Sequence, residues 1–325
     1  MAFVSINHLK KYFEVKGGKL HAVDDVSFQI VQGRTIGIVG ESGCGKSTLG
    51  KTIMRLEEPT GGSIIFDGVD IAALPERKFR PYRQRIQMIF QDPFSSLDPR
   101  MTVYQLIQEP ILSMTHLRKR EEITPRVYEL MDLVGLARRL ENSYPHELDG
   151  GRRQRIGIAR ALSTNPEFII CDEPVSALDV SIQAQVLNLL QDLQEDRKLT
   201  YMFITHDMSV VKHISDDIAV MYLGQVVEKC ESKELFIQTL HPYSQALLSA
   251  IPVPSLHNRK QKVILKGELS SPINPKPGCR FAARCRCATD KCRQETPVLR
   301  EFSPNHFVAC HYAGQTDLMG TTNDP

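Results

Sequence analysis

The chain has 325 residues, 42% apolar content and a formal net charge of +2, enough for one large core or for a main domain with a smaller appendage. So small a charge makes no case for a nucleic-acid or anionic-membrane partner. No uninterrupted apolar run is long enough to span a bilayer, and Met1-Ala2-Phe3-Val4-Ser5 lacks the basic start and apolar core of a signal peptide. The expected location is therefore the cytoplasm, where structural disulfides are rare.

Val4–Leu9 and Val23–Ile30 read as strands, the second alternating Val26, Phe28 and Ile30. Between them lie Lys10-Lys11-Tyr12-Phe13 and a Gly17-Gly18 turn. Phe13 reads as core. Tyr12, ahead of a glycine turn, is either a packing group or a platform for an adenine ring. The apolar run Ile36-Gly37-Ile38-Val39 then leads into Gly40-Glu41-Ser42-Gly43-Cys44-Gly45-Lys46-Ser47-Thr48, and a helix-like segment follows from Leu49 to Leu56. Strand, glycine-rich loop and helix is the setting in which backbone N–H groups curl around an anion at a helix N-terminus. Gly40, Gly43 and Gly45 let the backbone approach phosphate oxygens without a Cβ in the way. Lys46 then reaches the β and γ phosphates and the Ser47 hydroxyl ligates magnesium. The stretch predicts binding of a nucleoside triphosphate.

Gly61-Gly62, Ile64-Ile65-Phe66 and Asp67-Gly68 suggest a short strand between turns. Arg85–Phe90 is a strand running into Gln91, and the prolines of residues 92–99 make the next segment a loop. Val103–Ile111, Arg126–Leu136 and Arg153–Leu162 carry helical spacing, a helical block inserted between strands of an α/β core. Leu148-Asp149-Gly150-Gly151-Arg152-Arg153 opens the last of these helices, a second N-terminal anion site with arginines alongside. Phe168–Cys171 is a buried strand ending in Asp172 and Glu173. Downstream of a phosphate loop, magnesium needs a carboxylate and an attacking water needs a base. After the Ser176-Ala177-Leu178-Asp179 loop, Ser181–Asp196 is an amphipathic core helix. Tyr201–Thr205 is a strand ending at His206, expected at the sheet end where ligands collect. Ile218–Tyr222 and Val226–Lys229, then helices near Ser232–Phe236 and Pro242–Ala250, complete the main domain, and Pro252 and Pro254 mark its boundary.

Five of the eight cysteines, Cys279, Cys285, Cys287, Cys292 and Cys310, crowd into a proline-punctuated tail with too little apolar sequence for a core of its own. Such a piece needs a staple or a docking surface. Cys279, Cys285, Cys292 and Cys310 suit either zinc or an iron–sulfur cluster, and spacing alone leans towards zinc. Cys287 reads as the spare, and His306 and His311 as weaker substitute ligands.

As an ordered set these motifs resemble the nucleotide-binding subunits of ABC transporters over roughly residues 1–250. More narrowly, the chain resembles the ATPase subunits of oligopeptide/dipeptide (and nickel) importers. The narrower likeness rests on Gln91-Asp92-Pro93-Phe94-Ser95-Ser96-Leu97-Asp98-Pro99-Arg100, on the tail from Ser271-Pro272-Ile273-Asn274-Pro275, and on the Gly-Cys-Arg-Phe start of the cysteine pattern. The resemblance implies an α/β P-loop NTPase core over residues 1–254 with a helical subdomain at about 92–165, and a loop-rich cysteine extension over 255–325. It makes Tyr12 the adenine-stacking aromatic, Gly40–Thr48 the phosphate loop, and Leu148–Arg152 the signature, with Asp149, Gly150 and Gly151 facing nucleotide. Ser47, Gln91 and Asp172 then serve magnesium, Glu173 acts on the attacking water, Ser176–Asp179 forms the D-loop, and Gln91 and His206 sense the γ-phosphate. In the family two such subunits pair head to tail, each ATP lying between one phosphate loop and the partner's signature. The implied partners are a second ATPase subunit, two transmembrane permease subunits and, through them, an extracytoplasmic solute-binding protein, with the chain peripheral on the cytoplasmic face of the membrane. The implied tail cofactor is a [4Fe-4S] cluster, with Zn2+ as the alternative.

One departure stands out. The family signature usually has Ser where this chain has Asp149, and Gln where it has Arg152. A carboxylate about 4 Å from phosphate charge opposes it by about 4 kcal/mol per charge pair at an effective dielectric near 20. This predicts an asymmetric pair, and so a heterodimer. Two alternatives use the same motifs: an importer ATPase for nickel or another small solute, and a soluble ABC ATPase outside transport. The second usually carries tandem ATPase domains or coiled-coil insertions, neither of which this sequence shows.

Overall fold

The computed structural model describes residues 2–251, 265 and 272–315; the boundary expected at Pro252 and Pro254 lies outside the described residues. Strands β1 (Ala2–Val15) and β2 (Gly18–Val31) are joined at Gly17, whose φ of 104° suits a residue without a Cβ. β1 extends past its apolar start, so Tyr12 and Phe13 lie on the strand and not in the connection. β3 (Thr35–Val39) is buried at every position and runs through the phosphate loop into α1 (Lys46–Ile53). Then follow β4 (Gly61–Phe66), β5 (Val69–Asp70), α2 (Glu76–Arg85) and β6 (Ile86–Ile89). The helical block comprises α3 (Val103–Met114), α4 (Arg120–Leu133) and α5 (Gly150–Leu162). Next come β7 (Phe168–Asp172), α6 (Val180–Arg197), β8 (Thr200–Thr205), α7 (Met208–Ile214), β9 (Asp217–Tyr222), β10 (Gln225–Glu231), α8 (Ser232–Ile237) and α9 (Pro242–Ser249). The tail adds α10 (Asp290–Gln294), β11 (Arg300–Ser303) and β12 (His306–Val308). β2, β1, β4 and β5, in that order, form a sheet of their own.

The described residues fall into two compact units, the first comprising residues 2–4, 29–35 and 64–204. In it β6, β7 and β8 run parallel, with Ile86 opposite Phe168 and Phe168 opposite Thr200. All five residues of β7 are buried, as a strand covered on both faces requires. Helices α3, α4 and α5 pack on one another. α3 shows why: Val103, Leu106, Ile107, Pro110 and Ile111 fall on one buried face, and Thr102 and Gln105 close a reciprocal capping box at its start.

The second unit comprises residues 5–28, 36–63 and the described residues from 205 onward. β3 pairs parallel with β9, β9 antiparallel with β10, β10 with β12 and β12 with β11. The tail therefore gains its core by docking, as its low apolar content requires. β12 adds to β10 with Glu228 opposite Val308, and Phe281 enters a cluster with Tyr222, Tyr243, Val220 and Leu235. At the turn between β1 and β2, Asn274 takes the N–H of Lys19 on its Oδ1 and donates to the Gly17 carbonyl.

Candidate nucleotide site

In the second unit the phosphate loop is built from close backbone approaches. A Cβ on Gly40 would lie 2.2 Å from the Met221 carbonyl oxygen and one on Gly45 2.0 Å from that of Ala22, so both positions exclude every side chain. Gly45, at φ 102°, is the residue before α1, which opens with Lys46 and Ser47. The Lys46 ammonium is nearly buried and donates to the carbonyls of Gly40 (2.7 Å) and Glu41 (3.0 Å). It thus spans the loop it would share with a phosphate. Burial pushes the Cys44 thiol up, so it remains a neutral packing group despite the nearby ammonium. The Glu41 N–H donates to the buried Tyr243 hydroxyl (2.8 Å). Its carboxylate takes both ends of the Arg284 guanidinium, at 2.6 and 3.0 Å.

Tyr12 stands in the same unit. One face of its ring stacks on His21, with centroids 3.9 Å apart and planes 23° from parallel, and its hydroxyl donates to Asp24. Burial and the Asp24 carboxylate together raise its pKa, keeping it a neutral donor. Asp24 also contacts His21 Nδ1 (3.2 Å) and takes a hydrogen bond from Arg280. Burial opposes ionisation of Asp24, but these three partners outweigh it and hold its pKa below the usual carboxylate value. His206 is exposed just beyond β8, ahead of Asp207, which caps α7 through the N–H of Ser209 (2.7 Å).

The first unit brings together three other expected residues. Asp172 closes β7 and is almost wholly buried. Glu173 follows at φ 45°, a left-handed conformation unusual for a side chain of its size. Its N–H donates to the Ile204 carbonyl (2.9 Å), and its Oε2 accepts from Gln91 Nε2 (3.0 Å). Asp149 is the N-cap of α5: it accepts the Arg152 N–H (2.8 Å), and Arg152 Nε stands 3.4 Å from its other oxygen. Gly151 cannot carry a Cβ, which would lie 2.7 Å from Ile182 Cγ2 at the start of α6.

The tail cysteines divide the expectation. Cys279, Cys285, Cys287, Cys292 and Cys310 all line one cavity, with Phe281, Tyr312 and His311. Burial pushes the thiol of Cys279 up to about 11 and that of Cys285 up to about 12, and raises Cys310. Neutral thiols have no need to converge, and among the described residues no three Cys, His, Asp or Glu side chains gather to hold a metal ion. The four-cysteine set is thus a shared lining here and not a closed ligand shell. Cys287 lines the cavity with the other four, so position does not mark it as the spare. His306 is no substitute ligand: buried, it pairs with the buried Glu228 (2.9 Å), which also accepts the N–H groups of Leu240 and His241. His311 does reach the cavity, its Nε2 3.0 Å from the Glu295 carbonyl.

Comparison with known proteins gives the family. Residues 23–176 match the ABC transporter family, and residues 227–292 match the oligopeptide/dipeptide transporter C-terminal region. The chain is 52% identical over 320 residues to the oligopeptide transport ATP-binding protein AppF of Bacillus subtilis (strain 168), covering 95% of this chain and 96% of that one. It is 51% identical over 316 residues to the putative oligopeptide transport ATP-binding protein YkfD of the same organism, covering 96% and 95%. The chain belongs to the ATP-binding subunits of oligopeptide/dipeptide ABC importers. Among solved structures it is similar to the dimeric post-hydrolysis state of the ATP-binding cassette MJ0796 bound to ADP and Pi. The TM-score is 0.66 at 29% identity, over 70% of this chain and 98% of that one. As a member of the family the chain binds ATP with magnesium, hydrolyses it to energise peptide import, and works with membrane permeases as a peripheral subunit. Consistent with that, no helix among the described residues is long and apolar enough to cross a membrane.

Sequence reasoning missed His21, Asp24, Tyr243, Arg280 and Arg284. Only the two arginines left a signal: each adjoins one of the tail cysteines, in Cys279-Arg280 and Arg284-Cys285.

Proposed function

We propose that this ATPase is one half of an unlike pair, working with a second ATPase subunit on two permeases fed by an extracytoplasmic solute-binding protein. The observation that carries the proposal is Asp149 at the start of α5. Its carboxylate, held at the helix end as an N-cap, puts a negative charge where the family's serine is neutral and where a phosphate of the opposing subunit would bind. Arg152 offsets part of the negative charge. This chain's phosphate loop then uses the partner's standard signature, whereas the partner's ATP meets a weakened one. In its own site Lys46 and Ser47 bind phosphates and magnesium, with Gln91 and Asp172 completing the magnesium shell. Glu173 takes the proton of the attacking water, Gln91 and His206 respond to the γ-phosphate, and Tyr12 stacks on adenine through the face turned away from His21. ATP-driven closure and reopening would move the permeases from the cytoplasmic side.

ATPase assays on the purified chain, with and without the second subunit, test this reading. The chain alone is expected to hydrolyse ATP slowly, and Asp149→Ser is expected to raise that rate about tenfold by removing the opposing charge. Fast hydrolysis by a tight homodimer, unaltered by the substitution, would reject the asymmetric pair.

For the tail we propose that Cys279, Cys285, Cys292 and Cys310 hold a [4Fe-4S] cluster, zinc being the alternative. The common cavity supports it, since all four side chains line it. A single zinc needs four sulfurs about 2.3 Å from one point, whereas a cluster takes each thiolate at a separate iron. The resemblance to the peptide-importer ATPases favours the cluster, which would cross-link segments of the tail. Anaerobic purification is expected to yield about four irons and about four sulfides per chain. One zinc without iron would make the tail a zinc module instead.

A further inference from the structure

We infer that Arg280 and Arg284 are positioning residues for nucleotide binding, through which the C-terminal extension completes the phosphate loop and the aromatic platform. The inference rests on the reading of Gly40–Thr48 as the phosphate loop and Tyr12 as the platform.

Arg284 is only 8% exposed, and its planar fork takes both oxygens of Glu41. Glu41 is the second residue of the phosphate loop, and each of its polar groups is engaged. Its N–H goes to Tyr243, its carbonyl accepts from Lys46, and its carboxylate belongs to Arg284. A triphosphate brings several negative charges to this same loop, where an unpaired Glu41 carboxylate would repel them. Arg284 cancels that charge and fixes the loop's entry from a residue 243 positions away. Arg280 does the same for the platform. It donates to the Leu223 carbonyl and to Asp24, the carboxylate that receives the Tyr12 hydroxyl and meets His21. The angle of the Tyr12 ring is thus set by a carboxylate that the extension holds in place. Because these arginines directly follow Cys279 and precede Cys285, the segment that lines the cysteine cavity is also the one that grips the nucleotide side.

The competing reading is that both arginines only staple the extension to the ATPase. A staple is indifferent to the charge balance at Glu41, whereas positioning is not. The test measures affinity of the full-length chain for a fluorescent ATP analogue, together with the thermal midpoint of unfolding. Arg284→Gln is expected to weaken binding about tenfold, the effect of one unneutralised charge near the phosphates in a partly screened site. Arg284→Lys, keeping the charge but losing the fork, should weaken it about threefold. The double variant Glu41→Gln/Arg284→Gln should recover most of the lost affinity while its thermal midpoint stays low. Lys46→Ala is the control: normal binding there would sink the phosphate-loop reading itself. With that control intact, unchanged affinity in Arg284→Gln overturns the inference. Where the Gln variant does not fold, unchanged affinity in Arg284→Lys does so, and a double variant no tighter than the single one is equally decisive.

Discussion

Glu173 shows what a single residue gives up for its position. At φ 45° its backbone sits in a region that costs a non-glycine residue about 1 kcal/mol. The conformation is maintained by its own N–H on the Ile204 carbonyl and by Ser176, whose hydroxyl donates to the Glu173 carbonyl (3.1 Å). The turn ends the strand abruptly, so Asp172 is buried within β7 while Glu173 is half-buried with its carboxylate on Gln91. Strain held in place by surrounding bonds is a mark of functional positions. If Glu173 is the base, Glu173→Gln keeps the shape and the contact with Gln91 but cannot take a proton. The expected outcome is ATP binding within about twofold of normal and hydrolysis reduced at least about a hundredfold. Steady-state ATPase rates beside a nucleotide-binding titration check it, and retained turnover would move the base elsewhere.

At the scale of elements, legibility followed the strength of the local pattern. The all-apolar runs of β3 and β7, and the one-sided spacing of α3, were readable because burial on two faces or on one stripe writes itself into consecutive residues. β11 and β12 were not. They have four and three residues, and β11 is exposed along most of its length. They pair with each other, and β12 pairs with β10, some eighty positions earlier. The start of α5 was half readable. Paired glycines announce an anion-binding helix end, but nothing in their spacing shows that Gly151 is also required by Ile182 pressing on it. Asp149 departs from the family signature in its charge, and in the structure it is a good cap, as a serine at that position would be. The cysteine pattern was legible as a cluster of thiols lining one space, whereas their distance from a common point depends on tertiary packing that spacing does not encode.

For the molecule as a whole, the decisive contacts join the ends of the chain. Asp24 and Arg280, separated by 256 positions, form a pair whose side chains are 15% and 8% exposed. Breaking such a pair by removing one partner strands the other charge, so Asp24→Asn should destabilise the second unit by about 3 kcal/mol at neutral pH. The sign of its pH dependence follows from the depressed carboxyl of Asp24, whose ordinary value is 3.8. Above that value both folded and unfolded chains keep the carboxylate ionised, and the pair contributes in full. As pH falls through 3.8, the unfolded chain takes up its proton first, which favours unfolding, and the contribution is lost as pH falls through the folded-state value. The gap in unfolding free energy between the native chain and Asp24→Asn should therefore be widest near neutrality and close on acidification. Urea unfolding followed between about pH 7 and about pH 3 measures that gap directly. A gap that stays constant over this range would mean that shape, and not the charge of Asp24, joins the extension to the platform beneath Tyr12.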